Sequence, residues 1–459
     1  MAPTIFFIFL SLLFIPARTH LELNEEGFIS VEISDKGLDY AKDVLIDEAI
    51  SSIIPLQLPQ IEKTVEVVLI GKVKMVLSSI TIYHVNINSS LVKTGEAGIT
   101  LVASGATAYL SMNWKYSYSN WLFEITDSGD ASVQVKGMEV GLTVDFKKQE
   151  EFLKLILLDY GCYVKRISIE LHGGASWLYQ VVVDAFEGQI ASAVEDGISE
   201  KVREGISKLD VLLQSLPKQI PIDETAALSV SFVKNPVLSN SSIEFEINGL
   251  FTARNEILAS RYYLRGSGIS IPCSGSANMI KISVNENVFN SASLVYFNAD
   301  YMQWIVDELP NQTFLNTAKW KYIIPRLYKQ YPNADMEFNI SLTSPPIIQV
   351  VNQDIESTIY IDLILNVLEV GEVIPVACIL LEINASGSAE IIRNNLAGII
   401  RVKGFSTHLK WSNIGKLNML LIQTAMSAIP QSHRGAIYKL APTTRISIAS
   451  SSWFYSSEC

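Results

Sequence analysis

The chain has 459 residues, 49% of them apolar and only 18% charged, where a typical soluble domain carries about 25% charged residues. Its 18 Phe, 18 Tyr and 7 Trp can build more than one core, which excludes disorder as the main state. Lys and Arg total 35 against 47 Asp and Glu, and a net charge of −12 argues against nucleic-acid binding through bulk charge.

In chain order, the first feature is an 11-residue apolar run from Ile5 to Ile15, broken only by Ser11 and followed by Pro16-Ala17-Arg18. It has the length of a secretory signal core and is too short to span a bilayer. Cleavage between Ala17 and His20 is expected, giving a secreted, extracellular protein. Five Asn-x-Ser/Thr sequons at Asn88, Asn240, Asn311, Asn339 and Asn384 suit that route as glycosylation sites. The four cysteines, Cys162, Cys273, Cys378 and Cys459, are too sparse for a disulfide scaffold and too far apart for a CxxC metal or redox unit.

Residues 34–54 read as a helix capped by Ser34, with Leu38, Ala41, Leu45, Ala49 and Ile53 on one face, closed by Pro55 and Pro59. From Ile61 to Leu171 period-two alternation dominates, as in Ser79–Val85, Ala131–Lys136 and Arg166–Leu171, predicting an antiparallel meander with one apolar face. A long helix follows. Leu178, Val182, Phe186, Ile190, Val194, Ile198, Val202, Ile206, Leu209 and Leu213 recur at spacings of four with a single three, so the stripe drifts by about 40° per step and winds around the rod. Gly188, Gly197 and Gly205 permit close approach or bending within it.

The second half repeats the plan without repeating the residues. A short helix is expected over Asn316–Gln330, then strands at Met336–Leu342, Ile347–Val351, Ile359–Leu365 and Phe405–Lys410, then a helix starting near Trp411. The expected fold class is α+β, with two pseudo-symmetric half-closed antiparallel barrels. A meander with one apolar face cannot leave it wet, and curling the sheet around its helix solves that problem. Such a tube admits acyl chains, or it is filled by its own side chains; both readings stand at this point. The candidate lipid-pocket residues are Leu38, Leu45, Phe186, Ile190, Val194 and Ile198.

Residues Glu26-Gly-Phe-Ile-Ser-Val-Glu-Ile-Ser-Asp-Lys-Gly-Leu-Asp-Tyr-Ala41, Gly173–Trp177, Val288–Tyr296, Tyr331-Pro-Asn333, Ser344–Ile347 and Leu409–Gly415 stand in an order that resembles the lipopolysaccharide-binding and bactericidal permeability-increasing protein family, closest to its plant branch. The resemblance implies an elongated boomerang of two barrels, each with long helices, joined by a central sheet. It also implies apolar pockets for phospholipid and lipopolysaccharide binding at the far tip of the first barrel. On that pattern residues 1–20 are the signal, 21–216 the first barrel, 217–245 the passage with central-sheet strands, 246–429 the second barrel and 430–459 an atypical tail.

Three departures from the family stand out. The family's disulfide partner for Cys162 aligns with Ser199, so that bridge is absent. The matching tip hairpin carries one cation, Lys115, among Trp114, Tyr116, Tyr118, Trp121 and Phe123, where the animal proteins carry many. Those rings either insert at a membrane surface or, as period two favours, pack inward. The family pattern also fails after Ile429. With five His and no HExxH, GxSxG, P-loop or dinucleotide motif, no catalytic residue, metal site or cofactor is expected. The partners to expect are phospholipid or lipopolysaccharide, a membrane surface and an unidentified protein co-receptor; the rival readings are general phospholipid carriage between membranes and an interaction scaffold with filled barrels.

Overall fold

The computed structural model describes residues 26–427, apart from 68–70, 120–123, 174–178, 255–277, 309–311, 352–353, 370 and 393–394. The signal segment, Trp121, Asn311 and the tail therefore lie outside the described residues.

The first half begins with strand β1 (Ile29–Ser34) and helix α1 (Asp35–Ile53). Ser34 caps the helix by accepting the Gly37 amide, as its position before the apolar stripe predicts. Strands β2 (Leu56–Gln57), β3 (Ile61–Val67), β4 (Gly71–Asn86), β5 (Ser89–Gly95), β6 (Gly98–Ser119), β7 (Glu124–Gln149), β8 (Phe152–Tyr163) and β9 (Arg166–His172) follow, then helix α2 (Tyr179–Gln214). All eight of these strands form one antiparallel sheet.

The two longest strands explain the curl of that sheet. β6 pairs with β7 on one side, and on the other with β5 along its first residues and β4 along its last. β7 likewise meets β9 and then β8 on its outer side. A strand that changes partner along its length carries the sheet around a corner. Irregularities sit where the partner changes, between Ala103 and Thr107 on β6 and around Gly137 on β7. Gly137 has φ +67, a left-handed conformation that a side chain would strain, and it bends β7 there.

Between the halves run β10 (Gln219–Pro221), β11 (Ala226–Ser229), β12 (Val237–Leu238), β13 (Ser242–Ile247) and β14 (Phe251–Ala253). The second half opens with β15 (Ile280–Val284) and α3 (Glu286–Asn298), then β16 (Gln303–Val306), two 3-10 turns, α4 (Pro325–Gln330), β17 (Asp335–Leu342), β18 (Ile347–Val351), β19 (Asp354–Glu369), β20 (Glu372–Ile392), β21 (Asn395–Ser412) and α5 (Met419–Ser427). β1 lies between β13 and β15 in a central four-stranded sheet, so the two halves share a hydrogen-bonded spine.

The repeat is one of topology. β16 to β20 pair with one another as β3 to β7 do: β17 and β18 share one side of β19 as β4 and β5 share one side of β6. β1 and β15 each deliver a capped helix, with Asn285 accepting from Asn287 as Ser34 accepts from Gly37. The counterpart of α1 is thus α3. The expected helix over Asn316–Gln330 resolves into a 3-10 turn at Thr317–Trp320 and the six-residue α4. α5 starts at Met419, because Trp411 and Ser412 still belong to β21. The described helices of the second half span 13, 6 and 9 residues, against 36 for α2, and the last of them runs to the end of the described residues.

Candidate functional site

Two apolar clusters occupy the first half-barrel, and they differ in kind. The first lies under the amino-terminal part of α2. Phe186, Ile190 and Val194 are fully buried there among Met75, Leu77, Leu110, Met112, Val133 and Met138. Trp114 and Tyr116 belong to the same core at 4% and 6% exposure. Their rings stack in parallel with centroids 6.2 Å apart, and the indole N–H donates to the Asp130 carbonyl at 3.1 Å. Tyr118 packs against that core from its edge, while Lys115 takes the opposite face of β6 and is exposed. Alternation along β6 settles which way these described rings point.

The second cluster lies further along α2, towards the central sheet. Only Ile99, Val144, Leu155 and Ile243 are buried in it. Around them stand Leu38 of α1, Val92 of β5, Leu142 and Phe146 of β7, Leu157 of β8, and Ile206, Leu209 and Leu213 of α2, all partly buried. Ile33, Leu238 and Phe245 close the wall from the central sheet. Side chains from many elements converge here, yet most keep some contact with solvent.

α2 is held along its length by polar bonds that fix it over both clusters. Lys63 Nζ donates to the Ala185 carbonyl at 2.8 Å, the Val164 amide donates to Glu195 Oε1 at 2.7 Å, and the Leu155 amide donates to Asp210 Oδ1 at 2.8 Å. Of its three glycines, Gly197 makes a close approach, since a Cβ there would lie 2.6 Å from Leu58 Cδ2. Nothing lies within 4 Å of the same position at Gly188 or Gly205.

α1 departs most from its predicted role. Leu38 and Ile53 at its ends pack against the two clusters, but Ala41, Leu45 and Ala49 face solvent, with Leu45 48% exposed. What the helix buries is Gly37 and Lys42. A Cβ on Gly37 would lie 2.4 Å from the Met279 carbonyl, so the first turn abuts the segment leading into β15. The Lys42 ammonium is satisfied by Asp39 at 2.8 Å, Asp43 at 3.0 Å and the Ser90 carbonyl at 3.4 Å. The hydrogen bond that the ammonium donates to Asp39 is the main reason its pKa is raised. The middle of the helix thus rests on β5 through one charged side chain, and Tyr40, Val44 and Leu45 form an exposed apolar flank.

Of the candidate pocket residues, Phe186, Ile190 and Val194 therefore sit together in a core that the chain's own side chains occupy. Ile198 lies at its edge, Leu38 in the looser cluster, and Leu45 outside both. The residues that sequence reading did not single out, such as Leu142, Phe146 and Leu157, come from strands and are recognisable only once the register is known.

Cys162 is a free thiol on β8, and burial beside the Glu195 carboxylate pushes its pKa up to about 12. Cys378 is also free and buried, and Cys273 and Cys459 lie outside the described residues. Asn88 and Asn240 are exposed at turns, Asn384 is exposed on β20, and Asn339 is partly buried within β17. Among the described residues no group of three or more His, Cys, Asp or Glu is placed to hold a metal ion, and no helix is long and apolar enough to cross a membrane.

Comparison with known proteins bears on this architecture. Residues 37–209 match the N-terminal domain of the LBP / BPI / CETP family, and residues 221–433 match its C-terminal domain. A putative BPI/LBP family protein of Arabidopsis thaliana is 49% identical over 431 residues, covering 93% of this chain and 87% of that protein. The human lipopolysaccharide-binding protein is 24% identical over 404 residues, covering 86% and 82%. A crystal structure of a lipopolysaccharide-binding protein superposes with a TM-score of 0.57 at 19% identity over 88% of this chain and 89% of that one, a likeness of fold. The paired half-barrels, the shared central sheet and both family matches together make this chain a member of the LBP / BPI / CETP family.

Proposed function

We propose that this protein binds amphipathic lipids, taking acyl chains against the partly buried wall between α1, β5, β7, β8 and the carboxyl-terminal part of α2. The observation that carries the reading is the contrast inside one half-barrel. Leu38, Val92, Leu142, Phe146, Leu157, Ile206, Leu209 and Leu213 converge without closing a core. Each apolar Å² left wet forgoes about 25 cal/mol, and each methylene of an acyl chain buried there contributes about 0.8 kcal/mol. The headgroup would remain at the solvent-facing edge, beside the exposed flank of α1.

Lipopolysaccharide is the first ligand to test, because relatives named for binding it share both halves of this chain. Transport of ordinary phospholipid is the second reading. It is favoured by the inward-packed Trp114 and Tyr116 and by the single exposed cation, Lys115, on that stretch of β6. The proposal places the protein on the secretory route, from its amino-terminal apolar run, with a role in defence if lipopolysaccharide is the ligand.

The experiment is mass spectrometry of lipid extracted from protein purified without detergent, beside a delipidated and reloaded sample. Bound lipid near one or two molecules per chain is expected. Absence of lipid, with no uptake by the delipidated form, would sink the proposal. Competition by lipid A then separates the two ligands.

A further inference from the structure

The second half carries a surface that the acyl-chain reading does not use. Residues 309–334 contain four cations, Lys319, Lys321, Arg326 and Lys329, and no carboxylate, in a chain with 47 Asp and Glu. All four are exposed, and none has a carboxylate within 4 Å among the described residues; what sets them apart from other such cations is that they cluster on one short segment.

These cations lie against aromatic rings instead. The Lys321 ammonium is 5.8 Å from the ring centre of Tyr322 and 5.2 Å from that of Tyr328, and Lys319 is 5.4 Å from Phe314. Tyr322 is 83% exposed. The Arg326 guanidinium lies against Gly415, which brings it next to exposed Lys416. Beneath this surface Trp320, Ile324 and Leu327 anchor the segment in the second core, so the charged face is held on a fixed base.

Its position follows from strand register. The segment joins the end of β16, where Val306 pairs with Phe338, to the start of β17, where Asp335 pairs with Leu368. α3 instead holds the opposite end, through Asn290 Nδ2 to the Ile348 carbonyl at 2.9 Å and Ser293 Oγ to the Pro346 carbonyl at 2.8 Å. The basic and aromatic segment therefore caps the end of the second half-barrel away from α3. Exposed Leu368 and Val373 flank the β19–β20 turn at that same end. Asp307, Glu308 and Asp335 border the segment and Glu369 and Glu372 flank the turn, so the positive field is confined to the face that carries Lys319, Lys321, Arg326 and Lys329.

We propose that this end of the second half-barrel is a docking surface for an anionic lipid membrane, with the lysines above the headgroup phosphates and Tyr322 among them. Unpaired cations beside amphipathic rings complement a phosphate-bearing interface, where each Lys or Arg near the surface gains about 1 kcal/mol, roughly a fivefold change in affinity. The surface acts whether or not the apolar wall holds an acyl chain, so it does not rest on the pocket.

The test is co-sedimentation of the full chain with vesicles of phosphatidylcholine alone and of phosphatidylcholine mixed with phosphatidylglycerol. The K319Q/K321Q/K329Q variant should bind the mixed vesicles about a hundredfold more weakly, and the corresponding triple Lys→Arg variant should bind as the parent does. Tyr322→Ser should weaken binding to both vesicle types about threefold. All are surface changes, so the thermal midpoint and the extracted-lipid content stay constant. Unchanged binding by the Lys→Gln triple variant would overturn the proposal, as would an equal loss from Lys72→Gln with Lys115→Gln in the first half.

Discussion

The two clusters of the first half-barrel share one sheet and one helix, yet they solve the problem of an apolar face differently. Under the start of α2 the sheet closes on large side chains. Phe186, Ile190 and Leu110 have no solvent contact, and the stacked Trp114 and Tyr116 seal the end. Nearer the central sheet Leu209 and Leu213 of the same helix stay partly wet, as do Phe146 and Phe245, whose rings meet edge to face at 5.9 Å, and α1 rests on β5 through Lys42. One end is closed by the chain's own side chains, and the other is only partly covered by them. The difference lies in how completely the side chains close and in what α1 buries, since the backbone scaffold is continuous.

Cutting into the closed end should have the largest effect. Phe186→Ala removes a ring from a site with no room to relax and should destabilise the protein by about 3–5 kcal/mol, read as the drop in urea midpoint. Leu209→Ala in the open cluster should cost only about 1–2 kcal/mol, because part of that side chain is already wet. The lipid content should order the two oppositely, with Leu209→Ala losing bound lipid and Phe186→Ala keeping it in whatever fraction stays folded. If both variants lose stability equally, the division into closed and open ends is wrong.

Much of this frame is legible in the amino-acid order. Ser34 before the stripe of α1, the spacing-four stripe of α2 and the alternation of β4, β7 and β9 each declare local structure, because capping and periodicity are local properties. The inward turn of Trp114 and Tyr116 follows from the same alternation. α3 does not show itself, because its Asn-, Ser-, Val- and Phe-rich sequence has weak helix propensity and is helical through Asn285 and its contacts with β14 and β18. β20 is hidden by an unbroken apolar run and Pro375. The open cluster is the least legible of all. Val92, Leu142, Leu157 and Leu209 meet only through tertiary register, and no spacing along the chain brings them together. Leu45 shows the converse failure, a stripe residue that its helix turns to solvent.

The boundary between the clusters has its own titrating group. Cys162 is half-covered by α2 beside Glu195, and its thiol pKa is raised by burial to about 12 from 9.0. A thiol that stays protonated in the folded state and ionises in the unfolded one contributes stability that is complete below about pH 9 and is lost as pH rises towards 12. Cys162→Ala should therefore flatten the fall in thermal midpoint between those values. Alkylation of Cys162 by iodoacetamide at pH 8 should also be much slower than that of the unfolded chain. Equal rates would mean that α2 opens readily over this boundary.

The three glycines of α2 give the finest probe, because they sample the same helix against different backgrounds. At Gly205 an added Cβ meets nothing within 4 Å, so Gly205→Ala changes only the backbone freedom of the unfolded chain and helix propensity. It should stabilise the protein by about 0.5–1 kcal/mol. At Gly197 the same methyl would press on Leu58, whose side chain belongs to the closed core. There the propensity gain competes with displaced packing, and a net change near zero or a loss of about 1 kcal/mol is expected. Reading both midpoints against Gly188→Ala, which is also open, isolates the packing contribution. A Gly197→Ala variant as stable as Gly205→Ala would show that Leu58 swings aside freely. The closed end of the barrel would then share the looseness of the open one.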